Sequence, residues 1–104
     1  MTAKAWFVYL LRCSDNSLYC GVTNDIEKRV SKHSAGKGAK YTRSRLPVEL
    51  VWQSSDTDRS TALRAEYYIK KHNKQEKELL AVRPKGFQGI LEQALFERFG
   101  IVAR

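Results

Sequence analysis

Residues 7–23 constrain the fold more than any other stretch, because two apolar runs flank a polar cluster that favours chain reversal. Phe7-Val8-Tyr9-Leu10-Leu11 and Leu18-Tyr19-Cys20-Gly21-Val22-Thr23 lie on either side of Ser14-Asp15-Asn16-Ser17. β-Branched and aromatic residues around such a cluster predict a hairpin with strands over residues 6–11 and 18–22. That hairpin sets Tyr9 and Tyr19 on neighbouring strands. Whether they share a face depends on register, since a slip of one residue turns a strand over.

With 104 residues, the chain is long enough for one domain with a single core. A hydrophobic share of 42% and an aromatic share of 11% argue against disorder. The formal charge of +8 and pI near 9.7 suit a polyanionic partner, nucleic acid before an acidic membrane surface. Cys13, Cys20, His33 and His72 do not make a zinc finger. No run approaches the ~20 apolar residues of a membrane span. The apolar run at 6–11 leads into Arg12 and is too short for a signal-peptide core. Without a secretory signal, the two cysteines are expected to be reduced in a cytoplasmic protein, even if the hairpin brings them near each other.

After the hairpin, Asn24 and Glu27 have the spacing of a capping box, and Ile26, Val30 and His33 follow at helical intervals. Gly36 and Gly38 end that helix. Residues 40–45 are ambiguous between a helical turn and a loop, Pro47 breaks them, and 48–52 alternate as a third strand. A long helix is predicted over 60–72 and a short one over 75–81; residues 90–99 have helical apolar spacing up to Gly100. The order β-β-α-(α)-β-α-(α)-α describes an α/β domain with a small sheet.

Three features stand out chemically. Glu66 has Ala62, Leu63 and Ile69 as its helical neighbours, which sets a carboxylate in an apolar stripe. It is either a buried acid needing a cation or metal, or an edge residue paired with Lys70; helix geometry alone leaves both open. Arg29 flanks the Ile26-Val30-His33 stripe, as an ordinary solvated cation or as a fixed guanidinium suited to a phosphate oxygen. The third feature is the run from Lys28 to Arg45, which holds Lys28, Arg29, Lys32, Lys37, Lys40, Arg43 and Arg45 with no acid among them. An apposed phosphate backbone relieves their repulsion, and Gly36 and Gly38 allow close approach of a ligand. A solvated basic loop is the bland alternative. Nothing in the periodicity lifts Tyr9, Tyr19, Tyr41, Tyr67 or Tyr68 above core or edge residues.

Together these residues resemble the GIY-YIG endonuclease superfamily, and within it the small single-domain YhbQ-like group. Phe7-Val8-Tyr9 keeps the tyrosine of the first motif, with Phe7 in place of its glycine, and Tyr19-Cys20-Gly21 keeps the tyrosine and glycine of the second. Gly21-Val22-Thr23, Arg29, His33, Gly38-Ala39-Lys40-Tyr41-Thr42, Leu50-Val51-Trp52, Ala65-Glu66 and Ile69-Lys70-Lys71 continue the pattern, over residues 6–80. Each motif is weak alone; their order and spacing make the combination specific. The resemblance implies an α+β fold: a three-stranded, mainly antiparallel sheet flanked by helices, occupying residues 1–83. Residues 84–104 lie outside the match and are expected to form a C-terminal helical extension packed on the same domain.

The resemblance also implies metal-dependent phosphodiester cleavage. Glu66 would hold Mg²⁺ or Mn²⁺, Arg29 a non-bridging oxygen, and Tyr9 would take or relay the proton of the attacking water while Tyr19 orients it or the phosphate. His33 and Lys40 would support them, with Lys40 lowering a tyrosine's pKa from its ordinary value near ~10. Gly21, Lys37, Lys40, Tyr41, Arg43 and Arg45 would contact nucleic acid. On this reading Tyr9 and Tyr19 share the sheet face that looks toward the Glu66 helix. The expected activity is cleavage of DNA, whether damaged, branched or single-stranded, by a monomer or weak dimer with no membrane association. A non-catalytic nucleic-acid-binding module is the alternative, and an adaptor docking through residues 88–99 is a third.

Overall fold

In the computed structural model, which describes residues 5–54 and 56–82, the chain reverses where the turn chemistry requires it. Asp15 Oδ1 accepts the Ser17 N–H at 3.0 Å, and Asn16 takes a left-handed φ of 69°, a region asparagine tolerates better than most residues. The strands so joined are β1 (Phe7–Arg12) and β2 (Leu18–Thr23). With β3 (Glu49–Gln53) they form an antiparallel sheet in the order β2-β1-β3. The three-stranded sheet and α+β architecture agree with expectation.

β1 is central, which explains its unbroken apolar run, since both of its faces are covered. Val8 and Leu10 join Cys20, Trp52, Ala62, Ala65 and Ile69 in one buried cluster. The last three come from α3 (Arg59–Lys70), whose buried stripe therefore lies on this face. Tyr9 and Leu11, also buried, project from the opposite face. That face is reached by α1 (Ile26–Ser34) and α2 (Lys40–Arg43) through His33 and Thr42.

Local hydrogen bonds set the helix ends. The N-cap of α1 is Asp25, not Asn24: Thr23 Oγ1 accepts the Asp25 N–H at 3.1 Å, and the Asp25 carboxylate accepts from Lys28 N–H. At the other end, Gly36 N–H donates to His33 O and Lys37 N–H to Lys32 O, both at 3.0 Å. This is a Schellman closure, and the φ of +75° at Gly36 permits it. Asp58 caps α3 through Thr61. Asn73 and Glu76 form a reciprocal capping box on α4 (Lys74–Val82). Arg12 clamps α4 to β1 with two guanidinium hydrogen bonds to Glu78, Nη2 to Oε1 at 2.6 Å. Cys20 pairs in register with Leu10 whereas Cys13 lies beyond Arg12, and both thiols are free. The expected loose N-terminus at residues 1–4 and the expected helix at 90–99 lie outside the described residues.

Candidate functional site

Register decides which side chains meet. Tyr9 faces Gly21 and Tyr19 faces Leu11 across the hairpin, so the two tyrosines are diagonal neighbours on one face, with ring centroids 6.4 Å apart. They share a face, as expected, but it is the face opposite α3. The reason is parity: α3 packs on the even-numbered β1 residues Val8 and Leu10, which leaves Tyr9 to α1.

His33, fully buried on α1, joins them. Its Nε2 lies 2.9 Å from the Tyr9 hydroxyl, and its ring centroid is 5.2 Å from that of Tyr19. Arg29, one turn earlier, donates from Nε to the Tyr9 oxygen at 3.4 Å. Two glycines make room. A Cβ on Gly21 would come within 2.4 Å of the Tyr9 hydroxyl, and one on Gly38 within 2.3 Å of His33 Nδ1. The close approaches expected from a ligand at these two glycines are made instead by the protein's own rings. Gly36 serves the helix end.

Electrostatics differ from expectation at one point. Burial raises the Tyr9 phenol above its ordinary 10.0, outweighing the lowering by its Arg29 hydrogen bond, and the neighbouring Tyr19 adds to the rise. Lys40 is exposed and is not among the groups acting on Tyr9. Tyr9 is therefore a neutral phenol at pH 7. Burial, followed by the Arg29 charge, holds the His33 imidazole below 6.5, so it too is neutral.

Tyr41 stacks on Tyr19 at 5.9 Å, and the Arg45 guanidinium caps its ring at 3.9 Å. Arg45 is committed further, to Asp15 at 3.0 Å and the Tyr41 carbonyl at 2.9 Å. Lys28, Lys32, Lys37, Lys40 and Arg43 are exposed, and among the described residues none of the five forms an ion pair. They supply unneutralised positive charge beside the tyrosine face.

Glu66 stands apart from this cluster. The buried stripe of α3 is Thr61, Ala62, Ala65 and Ile69, while Leu63 is exposed, so Glu66 lies at the stripe's edge. Its side chain is 22% exposed and meets Lys70 Nζ at 3.4 Å. Burial, then the nearby Glu66 carboxylate, push the Cys20 thiol up to about 12. Glu66 thus lies beside the middle residue of Tyr19-Cys20-Gly21, on the other side of strand β2. Because β2 is an edge strand of the sheet among the described residues, the two groups flank one sheet edge.

Among the described residues no three His, Cys, Asp or Glu side chains cluster as metal ligands. A single part-exposed carboxylate fits a water-rich Mg²⁺ or Mn²⁺ site and does not fit a zinc cage. Sequence reasoning missed Thr42, fully buried and 2.7 Å from His33 Nδ1. Its only signal was its place in the Gly38–Thr42 motif, where helical periodicity says nothing.

A family model described as the GIY-YIG catalytic domain matches residues 5–79. The UPF0213 protein YazA of Bacillus subtilis is 52% identical over 79 residues, covering 76% of this chain and 80% of its own. The UPF0213 protein YhbQ of Escherichia coli K12 is 46% identical over 86 residues, 83% of this chain and 86% of its own. The solution NMR structure of EF2693 from E. faecalis superposes with a TM-score of 0.52 at 38% identity, covering 75% of this chain and 83% of that one. No helix among the described residues is long and apolar enough to cross a membrane.

Proposed function

Because the chain belongs to the GIY-YIG domain family, together with its UPF0213 relatives, we propose that it is a divalent-metal-dependent endonuclease acting on DNA. The hydrogen-bonded group of Tyr9, His33 and Arg29 beside Tyr19 carries this reading. An arginine and a phenol–imidazole pair supply a phosphate anchor and a path for one proton.

Arg29 holds a non-bridging phosphate oxygen, and Tyr19, the more accessible phenol, orients the phosphate and the attacking water. The water's proton passes to the Tyr9 oxygen while Tyr9's own proton passes to His33 Nε2. The hydroxide oxygen so formed attacks phosphorus, the opposite P–O bond breaks, and the departing alkoxide takes a proton from solvent. Tyr9 is only 1% exposed, which shelters this proton transfer from bulk water and suits a relay. Its neutral ground state follows: the coupled transfer to His33 replaces a standing tyrosinate. Glu66 would hold a divalent ion, which when bound would supply Lewis-acid stabilisation of charge on the phosphate and leaving oxygen. The substrate lies across the β2 edge, where both sides of the sheet are within reach, and Lys28, Lys32, Lys37, Lys40 and Arg43 hold its backbone.

One observation favours a second reading. Glu66 is paired with Lys70 and lies across β2 from the tyrosines, as a binding module without catalysis would allow. Labelled DNA and RNA substrates incubated with Mg²⁺, Mn²⁺ or chelator separate the two. Nuclease action predicts metal-dependent cleavage that Glu66→Ala lowers by about 10²-fold or more, with binding retained. Cleavage unchanged in Glu66→Ala sinks the metal role, and binding without cleavage under every metal supports the module.

A further inference from the structure

The motif Gly38-Ala39-Lys40-Tyr41-Thr42 holds more than surface charge. We propose that it is a cradle that locks His33 in its Nδ1-protonated tautomer, with Thr42 as the positioning residue that makes Nε2 the acceptor for the Tyr9 proton. The catalytic consequence rests on the nuclease reading above; the tautomer does not.

One hydrogen-bond chain fixes the His33 proton from both of its ends. A threonine hydroxyl has one proton. Thr42 Oγ1 donates it to the Ala39 carbonyl at 3.0 Å. Toward His33 Nδ1, 2.7 Å away, Thr42 then has only lone pairs, so Nδ1 must carry hydrogen. At the far end, Tyr9 has two polar partners, Arg29 and His33. A guanidinium has donors and no acceptor, so the Tyr9 proton points to His33 Nε2. The reverse tautomer breaks the Thr42–Ala39 bond and leaves the buried Tyr9 hydroxyl hydrogen without an acceptor. Protonation of both ring nitrogens meets the same obstacle at Tyr9, next to the Arg29 charge.

Gly38 keeps the imidazole seated, since a Cβ there would lie 2.3 Å from Nδ1 and 2.7 Å from Cγ. Ala39 takes part only through its carbonyl, which also accepts the Thr42 and Arg43 N–H groups at 3.2 Å. That carbonyl is therefore held in place by α2 itself. The cradle sets a tautomer in the way a second hydrogen-bonding partner commonly does for a working histidine.

Long-range proton–nitrogen NMR of the ¹⁵N-labelled full chain at neutral pH reads the tautomer directly, with His72→Gln assigning the other histidine. The expected wild-type spectrum has His33 Nδ1 protonated and Nε2 bare. An Nε2-protonated ring, or an imidazolium, overturns the proposal without any variant. Thr42→Val should release the lock and populate the other tautomer, and Thr42→Ser should restore it; an unchanged tautomer in Thr42→Val overturns the role of Thr42. In cleavage assays Thr42→Val should lower kcat by about tenfold to 10²-fold with KM nearly unchanged, and Thr42→Ser should recover it. A switched tautomer with full cleavage overturns the positioning role and leaves the nuclease reading intact. The expected spectrum from a protein that cleaves nothing supports the lock and removes the nuclease reading.

Discussion

The two faces of the sheet are built by alternate residues of the same strand, yet they solve burial in opposite ways. Toward α3, Val8, Leu10, Cys20, Trp52, Ala62, Ala65 and Ile69 pack as an apolar cluster. So little polarity is available there that the buried Trp52 Nε1–H has no hydrogen-bond partner among the described residues. Toward α1, Tyr9, His33 and Thr42 are equally buried, but their polar atoms are joined in one chain ending at the Ala39 carbonyl. The first face gains stability from removed surface and tolerates imprecision; the second depends on every partner being in place. Such a polar network is what the proposed nuclease site requires, whereas stability alone is served as well by an apolar filling.

The sharpest way to break the comparison is to truncate neighbours on β1. Leu10→Ala should cost about 2–5 kcal/mol of stability, seen as a lower denaturation midpoint, while the surviving folded protein keeps its His33 tautomer. Tyr9→Phe should cost only about 1–2 kcal/mol but lower cleavage by about 10²-fold or more. Equal effects from both would show that the faces are not functionally distinct.

Acidity probes one face only. His33 is held below 6.5 by burial and Arg29. As pH falls below 6.5 the unfolded chain takes up the proton first, so stability present above 6.5 is lost as pH drops through the folded value. Tyr9 is raised above 10.0, so its contribution is lost as pH climbs beyond 10.0. Denaturant titrations across pH 5 to 8 should show the acid-side loss, and His33→Gln should abolish it. On the α3 face Cys20 titrates only near 12 and adds nothing in that range.

The smallest effect belongs to the clamp outside both faces. Arg12 and Lys74 hold the Glu78 carboxyl down at about 2. The pairing is complete above the ordinary 4.5 and is lost as pH falls toward 2. Arg12→Ala should lower stability by about 1 kcal/mol at neutral pH, with cleavage little changed. A large loss of cleavage would tie α4 to the site.

Much of this was legible in residue order. The hairpin, the three strands and the helices after them follow from turn residues, alternation and helical spacing, because those signals are local. The candidate set of Tyr9, Tyr19, Arg29 and His33 was also visible through motif order, and the structure brings all four together. Helix spacing left Glu66 open between a buried acid and an edge residue paired with Lys70, because only packing against β1 and β2 could show that Leu63 lies outside the stripe. Spacing points to Asn24 as the cap of α1, whereas Asp25 fills that place, because capping depends on where the Thr23 hydroxyl points.

By itself, then, the sequence determined the elements, the family and the set of candidate site residues, since each rests on short-range geometry or ordered motifs. Tertiary structure alone decided that α3 takes the face opposite the tyrosines, that burial outweighs Arg29 at Tyr9, and that Thr42 closes the chain on His33. Those outcomes depend on residues far apart in the chain meeting at fixed distances in a water-poor interior. No periodicity along one strand records that meeting.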